Sequence, residues 1–377
     1  MPGESKVFEG YLKKYMSTKL AVPPAVEVTR KAPRAQQNQP TRKLSKEVTC
    51  QVLSRTDYPE WDALIDRSPH GTVFHYSWWL EMTADDFTIL AIRNERGAII
   101  AGMPIPRERR SGLWLLHSPC LTPYLGPVFD LTSIASICDR LHFMRSNGEI
   151  LGRNIKSFDS VRYVAGASAP DLQGFLWAGF KIHLAYTFRF PATHTPDQVT
   201  EGMTQTHLQK LTEDQRMKLK IVRDDGIDDL IFLNNKTFEK QGLKPVCTSD
   251  FLKRLWNVAS AQKKAHMYVA KTSDDKPVAA LLAVHDKRTT FQIVSGVNPE
   301  FQDITGAYLV LWNALQEALL SGRDFDFEGS SLRGLESFYR RWGAMAVPIW
   351  RFEKAGSWRG GLYQSLVNRR DLIAFNK

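Results

Sequence analysis

Two carboxylates two positions apart, Asp326 and Glu328, close an apolar segment and precede a run of small residues: Phe325-Asp326-Phe327-Glu328-Gly329-Ser330-Ser331-Leu332-Arg333-Gly334. The pattern predicts a buried strand that leaves the core at an acid, then a glycine- and serine-rich turn. A helix carrying Phe338-Tyr339-Arg340-Arg341-Trp342-Gly343 follows. Ligands in α/β proteins gather where the carboxyl ends of strands meet such loops. The two-residue period of a strand puts Asp326 and Glu328 on one face. A carboxylate held there can take a proton from an attacking amine, and Glu328 is the first choice for that base. Tyr339 could return a proton to a leaving group, or simply pack in the core. An ordinary strand-to-helix turn with a capping serine has the same composition.

The elements that must hold these groups are legible upstream. Tyr58 to Ser68 reads as a helix with Trp61, Leu64 and Ile65 on one face, and Ser77 to Met82 as a second, short helix. Phe87 to Ile105 reads as a hairpin and Leu113 to His117 as a strand. Ser118 to Phe129 holds Pro119, Pro123, Gly126 and Pro127, so it predicts an extended loop, with Tyr124 in its middle. Ser133 to Ser146 is expected to be a helix and Ser157 to Val164 a strand. Pro196 to Val222 reads as a polar bridging helix with a cationic end, Lys210, Arg216, Lys218, Lys220 and Arg223. Those cations could grip a phosphate-bearing substrate or decorate a solvated face, and the solvated face is the stronger reading. Asp228 to Lys240 and Ser249 to Gln262 follow as helices, Phe291 to Val297 as a strand, and Ala307 to Leu320 as a long helix.

The same order of elements occurs twice. Phe158-Asp159, Phe175 to Phe180 and Ala185 to Phe190 parallel Phe325-Asp326, Phe338 to Gly343 and Ile349 to Phe352. This implies an internal duplication at an offset of roughly 165–180 residues. The expected organisation is a disordered basic tail over 1–46, a first domain over 47–195, a bridging helix over 196–226 and a second domain with a C-terminal extension over 227–377.

Composition narrows the classes. The chain has 377 residues, 43% of them hydrophobic, which suits two globular domains. Of the net charge of +10, +7 belongs to the first 46 residues, where ten Lys or Arg face Glu4, Glu9 and Glu27. Ala21 to Thr41 reads as a disordered linker. Phe8 to Leu20 could form a basic amphipathic helix suited to a membrane surface, although an inert solvated arm is the stronger reading. No apolar run reaches the ~18 residues of a membrane span. Cys50, Cys120, Cys138 and Cys247 lack metal-ligand spacing, which predicts reduced thiols, a cytoplasmic location and no metal site.

Two helices, three antiparallel strands, a loop, a helix and a closing strand, present in tandem, resemble the FemAB-like N-acyltransferases of the GNAT superfamily. The resemblance covers roughly Val48 to Lys354. It rests on Gly71-Thr72-Val73-Phe74-His75 with Trp78-Trp79-Leu80, on Pro123-Tyr124-Leu125-Gly126-Pro127, and on the acidic block above. It implies an α/β (α+β) fold of two GNAT-like domains, each a mixed, mostly antiparallel sheet flanked by helices. It also implies transfer of an acyl or aminoacyl group, from acyl-coenzyme A or aminoacyl-tRNA, to an amine of a peptidoglycan precursor or surface sugar. The acceptor would be a small molecule or lipid-linked, and attack would be direct, without a metal.

On that reading Gln302-Asp303-Ile304-Thr305-Gly306-Ala307 stands where the donor's phosphates would meet a helix N-terminus. Thr305 replaces a glycine of the coenzyme A motif and Asp303 adds a negative charge, so the donor class stays open. A backbone amide along Ser295-Gly296-Val297 is expected to face the oxyanion, the glycine letting the ligand approach. Arg340 and Arg341 would grip phosphates, and His75, Tyr124 and Tyr186 would line the acceptor pocket; His75 among so many aromatics also fits a packed histidine. A non-catalytic nucleic-acid or protein-binding module, using the tail and the bridge, is the reading from a different class. The tryptophans argue against it, because they sit in periodic apolar segments rather than among the basic residues.

Overall fold

Strands buried on both faces read as near-continuous apolar runs. Pro277 to His285, with all but its two end residues buried, is such a strand at the middle of the second half. The computed structural model describes residues 49–211, 219–301, 305–328 and 333–375. In the first half the elements are β1 (Cys50–Val52), α1 (Tyr58–Arg67), α2 (Ser77–Thr83), β2 (Phe87–Arg93), β3 (Ile99–Arg110), β4 (Leu113–His117), β5 (Val128–Phe129), α3 (Ile137–Asn154), β6 (Ser160–Ala165), α4 (Gln173–Trp177) and β7 (Lys181–Phe190). Two short helices follow, α5 (Pro196–Gly202) and α6 (Gln205–Gln209). The second half comprises β8 (Lys220–Arg223), α7 (Ile227–Lys240), α8 (Ser249–Ala261), β9 (Ala265–Lys271), β10 (Pro277–His285), β11 (Thr289–Val297), α9 (Thr305–Leu320), β12 (Asp324–Asp326), α10 (Arg333–Arg341), β13 (Met345–Ala355) and α11 (Trp358–Phe375).

Among the described residues thirteen strands form one sheet, in the order β1-β2-β3-β4-β6-β13-β7-β12-β11-β10-β9-β8, with β5 beside β3. Neighbours are antiparallel except β4 with β6 and β11 with β12. Read inward from each edge, every half lays down five strands of its own and then receives the last strand of the other half. The exchanged strands, β7 and β13, pair with each other from Met345↔Arg189 to Glu353↔Lys181. The α/β class and the largely antiparallel, helix-flanked sheet are therefore as expected.

The exchange also merges the cores. One apolar cluster joins Trp61, Phe74 and Trp79 of the first half to Leu230, Leu233 and Phe291 of the second. Another gathers Phe188 and Phe190 with Tyr308, Trp312, Phe325, Phe327, Tyr339 and Trp342. Residues 46–377 form one compact unit.

Several expectations are corrected. The single bridging helix over 196–222 is instead α5, α6 and strand β8. Lys220 and Arg223 sit on that edge strand, paired with Asp275 and with Glu317, at the far end of the sheet from the β7–β13 centre. They grip nothing in a central cleft; Arg216 and Lys218 lie outside the described residues. The C-terminal extension of the second domain is the helix α11. Cys120 and Cys247, read as free thiols, are joined to each other, whereas Cys50 and Cys138 are free. Their separation of 127 residues leaves no local signal. No helix among the described residues is long and apolar enough to cross a membrane. The basic tail lies outside the described residues.

Candidate functional site

Strand β12 is three residues long and β11 is nine. They pair only over Thr289↔Asp324, Thr290↔Phe325 and Phe291↔Asp326. Beyond Phe291 the partner of β11 ends, so among the described residues Gln292 to Val297 have no strand partner on the side facing the segment that begins at Phe327. Asp326 sits at the point of divergence, 1% exposed. Thr187 Oγ1 donates to its Oδ1 at 2.6 Å, the Tyr124 hydroxyl at 3.2 Å, and the Glu328 N–H at 2.8 Å. Arg189 Nε faces Oδ2 at 3.2 Å and also approaches Asp324. Burial raises the Asp326 pKa, but Arg189 and three hydrogen bonds favour its charged form.

Glu328 has no such support. Its Oε1 is buried without a hydrogen-bond partner. Its backbone adopts φ +63°, a conformation that costs a non-glycine residue about 1 kcal/mol or more and recurs at functional sites. The turn is closed by its own N–H on Asp326, so the strand alternation ends there and Glu328 does not simply continue the Asp326 face. Desolvation, then the neighbouring Asp326 charge, pushes the Glu328 carboxyl well above the usual carboxylate range. Where two acids crowd together, the one with fewer donors keeps its proton to higher pH, here Glu328.

The other half lacks this pair. Phe325 lies opposite Phe190, and Tyr163 opposite Phe352. Aligning the exchanged strands on Phe190 and Phe352, the residues opposite Phe325 and Tyr163, sets Val164 against Asp326 and Gly166 against Glu328. The sequence alignment of Phe158-Asp159 with Phe325-Asp326 is thereby corrected. Asp159 precedes the strand and accepts from the Trp114 N–H and the Ser357 hydroxyl. The gap beside β6 is also filled. Leu125 N–H donates to Val164 O at 2.8 Å, and a Cβ on Gly166 would fall 3.0 Å from the Tyr124 ring. The proline-rich loop thus closes the first half's own gap and delivers Tyr124 to the second half's acid.

The remaining sequence-derived residues divide. Asn298 N–H donates to Val278 on β10, so strand alternation turns the amides of Ser295 and Val297 to the open edge. Thr237 Oγ1 accepts the Val297 N–H at 2.9 Å, which leaves Ser295 N–H as the amide facing that edge. Gly296 does not make room for a ligand: a Cβ there would lie 2.4 Å from Asn234 N of α7. Gly306 likewise lets α9 press on Val278 and Ala279 of β10, with Thr305 buried beside it and Ala307 partly buried. Gln302 lies outside the described residues.

Arg340 is exposed and bonds Glu336 on its own helix at 2.9 Å. His75 is a packed histidine. It contacts Thr72 and Gly126, and burial lowers its pKa to about 4. Tyr186 is 47% exposed, on the sheet face opposite Thr187 and Asp326. Tyr339 is buried against Phe327 and Phe188; burial and the charges of Glu328 and Asp326 push its pKa up to about 12. Thr187, Arg189 and Thr237 went unread. The first two alternate with Phe188 and Phe190, a polar stripe on a strand that sequence alone could have flagged.

Comparisons with known proteins agree with this architecture. Residues 204–340 match the acetyltransferase (GNAT) domain family, which places a GNAT acyltransferase domain in the second half. No curated protein matches the chain. The fold is similar to the crystal structure of FemX, at 14% identity, covering 84% of this chain and 99% of that one, with a TM-score of 0.62. It is also similar to a conserved protein of unknown function from Bacteroides thetaiotaomicron VPI-5482, at 9% identity, 82% and 100% coverage and a TM-score of 0.51. A tandem GNAT protein from the clavulanic acid biosynthesis pathway aligns at 9% identity over 82% of this chain and 99% of its own, TM-score 0.48. Together they give residues 204–340 a match to the GNAT acetyltransferase family and the described residues a fold similar to that of FemX. Among the described residues no group of three or more His, Cys, Asp or Glu could hold a metal ion.

Proposed function

We propose that the chain moves an acyl or aminoacyl group from an activated ester or thioester to a primary amine of a cell-envelope precursor, with Glu328 as the general base. The observation that carries this reading is the strained Glu328, its Oε1 buried without a hydrogen bond, beside an Asp326 whose Oδ1 takes three donors and whose Oδ2 faces Arg189, where the parallel strands β11 and β12 part. A donor laid along the open edge of β11 puts its carbonyl near Ser295 N–H, which stabilises the oxyanion. Glu328, once ionised, takes a proton from the attacking ammonium; burial and the Asp326 charge raise its pKa, which makes its carboxylate a stronger base than an exposed one. Tyr339 retains its proton at neutral pH and donates it to the leaving group. Asp326 positions: its charge fixes Tyr124, Thr187 and the turn carrying Glu328. Acyl-coenzyme A and aminoacyl-tRNA are tested side by side as donors, because Thr305 replaces a glycine of the coenzyme A motif.

Thermal-shift titration with acyl-coenzyme A esters and aminoacyl-tRNAs, then turnover with amine acceptors, tests the reading. A wild-type chain that binds a donor, and a Glu328→Gln variant that binds it equally but does not transfer, is the expected result. Undiminished transfer by the variant would end the assignment.

A further inference from the structure

We infer that Cys120 and Cys247 are a redox-reversible cross-link, a thiol–disulfide modification site that latches the loop bordering the open edge of β11. The two ends differ in rigidity. Cys120 lies four residues ahead of Tyr124, in a loop pinned at several points. Trp79 Nε1 donates to Thr122 Oγ1 at 2.9 Å, Leu125 N–H to Val164 O at 2.8 Å, and Gly126 N–H to His75 Nε2 at 3.2 Å. Cys247 belongs to the connection between α7 and α8, which has few anchors. Leu243 N–H still closes the helix on Phe238 O, but among the described residues Lys244 to Val246 make no backbone hydrogen bond. Leu243 and Val246 are 57% and 73% exposed.

The position of this connection gives the bond its consequence. It departs from α7 just after Thr237, whose hydroxyl holds the Val297 N–H at the end of β11. It arrives at the loop that sends Tyr124 to Asp326. The connection therefore spans the two groups flanking the open edge, and its sulfur bond is its one covalent hold on the first half. Cys120 is partly exposed and lines a 670 Å³ cavity with Pro119, His117 and Trp114, which admits a small disulfide.

Formation proceeds by exchange with a small disulfide such as oxidised glutathione. One cysteine thiolate attacks it, forming a mixed disulfide and releasing one small thiol. The second cysteine thiolate attacks the protein sulfur and expels the other. Two protein thiols are oxidised and one small disulfide is reduced to two thiols. A dithiol reductant reverses the sequence, leaving the connection held through its helices and the packing of Cys247 against the core.

The test uses the full chain and needs no substrate, so it stands apart from the transfer reaction. Equilibrate the protein with glutathione redox mixtures, trap thiols with iodoacetamide, and map them by mass spectrometry. In parallel, measure thermolysin cleavage before Leu243 and Val246. Expected is a Cys120–Cys247 cross-link in the oxidised mixtures, alkylation of both in dithiothreitol, and loop cleavage about tenfold faster in the reduced chain, as for a locally opened segment. Cys247→Ser should be cut at the fast rate in both conditions. The inference fails if both thiols alkylate in every mixture, or if the bond forms and wild-type cleavage is the same oxidised and reduced. That wild-type comparison decides the matter even if the variant does not fold.

Discussion

The Tyr124 hydroxyl donates to Asp326 Oδ1 at 3.2 Å across 202 residues of sequence, tying the first half's proline-rich loop to the acid at which β11 and β12 part. Both residues are almost fully buried, so the contact is a fixed part of the core. It makes the second half's chemistry depend on the first half's loop.

Removing only the Glu328 charge separates chemistry from folding. Glu328→Gln is expected to lower the transfer rate about 10²–10⁴-fold while leaving donor affinity unchanged, in steady-state and binding assays. A raised carboxyl pKa means the folded state holds the proton more tightly than the unfolded chain. The associated stability is complete below the unfolded carboxylate pKa and is lost as pH rises through the folded one. The variant should therefore gain on the wild type in denaturant midpoint as pH increases.

Transfer itself should rise with pH over the range in which Glu328 gives up its proton, since only the carboxylate can act as base. A rate profile that is flat across that range, with binding constant, would count against Glu328.

Asp326→Ala leaves Arg189 buried without its closest counter-charge, together with an unmet Thr187 and Tyr124. A loss of about 3–5 kcal/mol of stability is expected by chemical denaturation. Tyr124→Phe, which removes one of several donors, should cost only about 1 kcal/mol. If it costs as much as Asp326→Ala, the loop and not the acid organises the site.

Gly296→Ala forces a methyl group against the α7 backbone, 2.4 Å from Asn234 N. Destabilisation of about 3 kcal/mol is expected in a thermal melt. Tolerance of this change would mean that α7 stands off the strand.

Gly166→Ala puts a carbon 3.0 Å from the Tyr124 ring. The aromatic ring can shift where a backbone cannot, so about 1–2 kcal/mol of stability should be lost. The transfer rate should fall with it, because Tyr124 moves relative to Asp326. Val164→Asp should destabilise without creating a second activity, because the Tyr124 loop fills that gap.

Much of the architecture could be read locally. The periodicity of Asp228 to Lys240 and Ser249 to Gln262, and the apolar runs of the hairpins, marked helices and strands close to their observed bounds. The prolines of Ser118 to Phe129 implied a loop of fixed shape. Asp326 and Glu328 stood out because acids rarely end an apolar strand. The bridging stretch was misread because charge and helix propensity favoured a helix, whereas pairing with β9 makes Lys220 to Arg223 a strand.

Residue order thus settled which segments bury and which acids stand where a strand ends, since those follow from side-chain polarity at fixed spacing. Folding decided the rest. Strand exchange set Asp326 against Arg189 and put Val164 in the equivalent place, and the loop's path brought Tyr124 across to the acid. Helix α7 took the amide of Val297 and the space above Gly296. The division of labour between two neighbouring carboxyl groups depends on donors drawn from positions up to 202 residues away. Desolvation and hydrogen bonding act through space, and no local pattern records them.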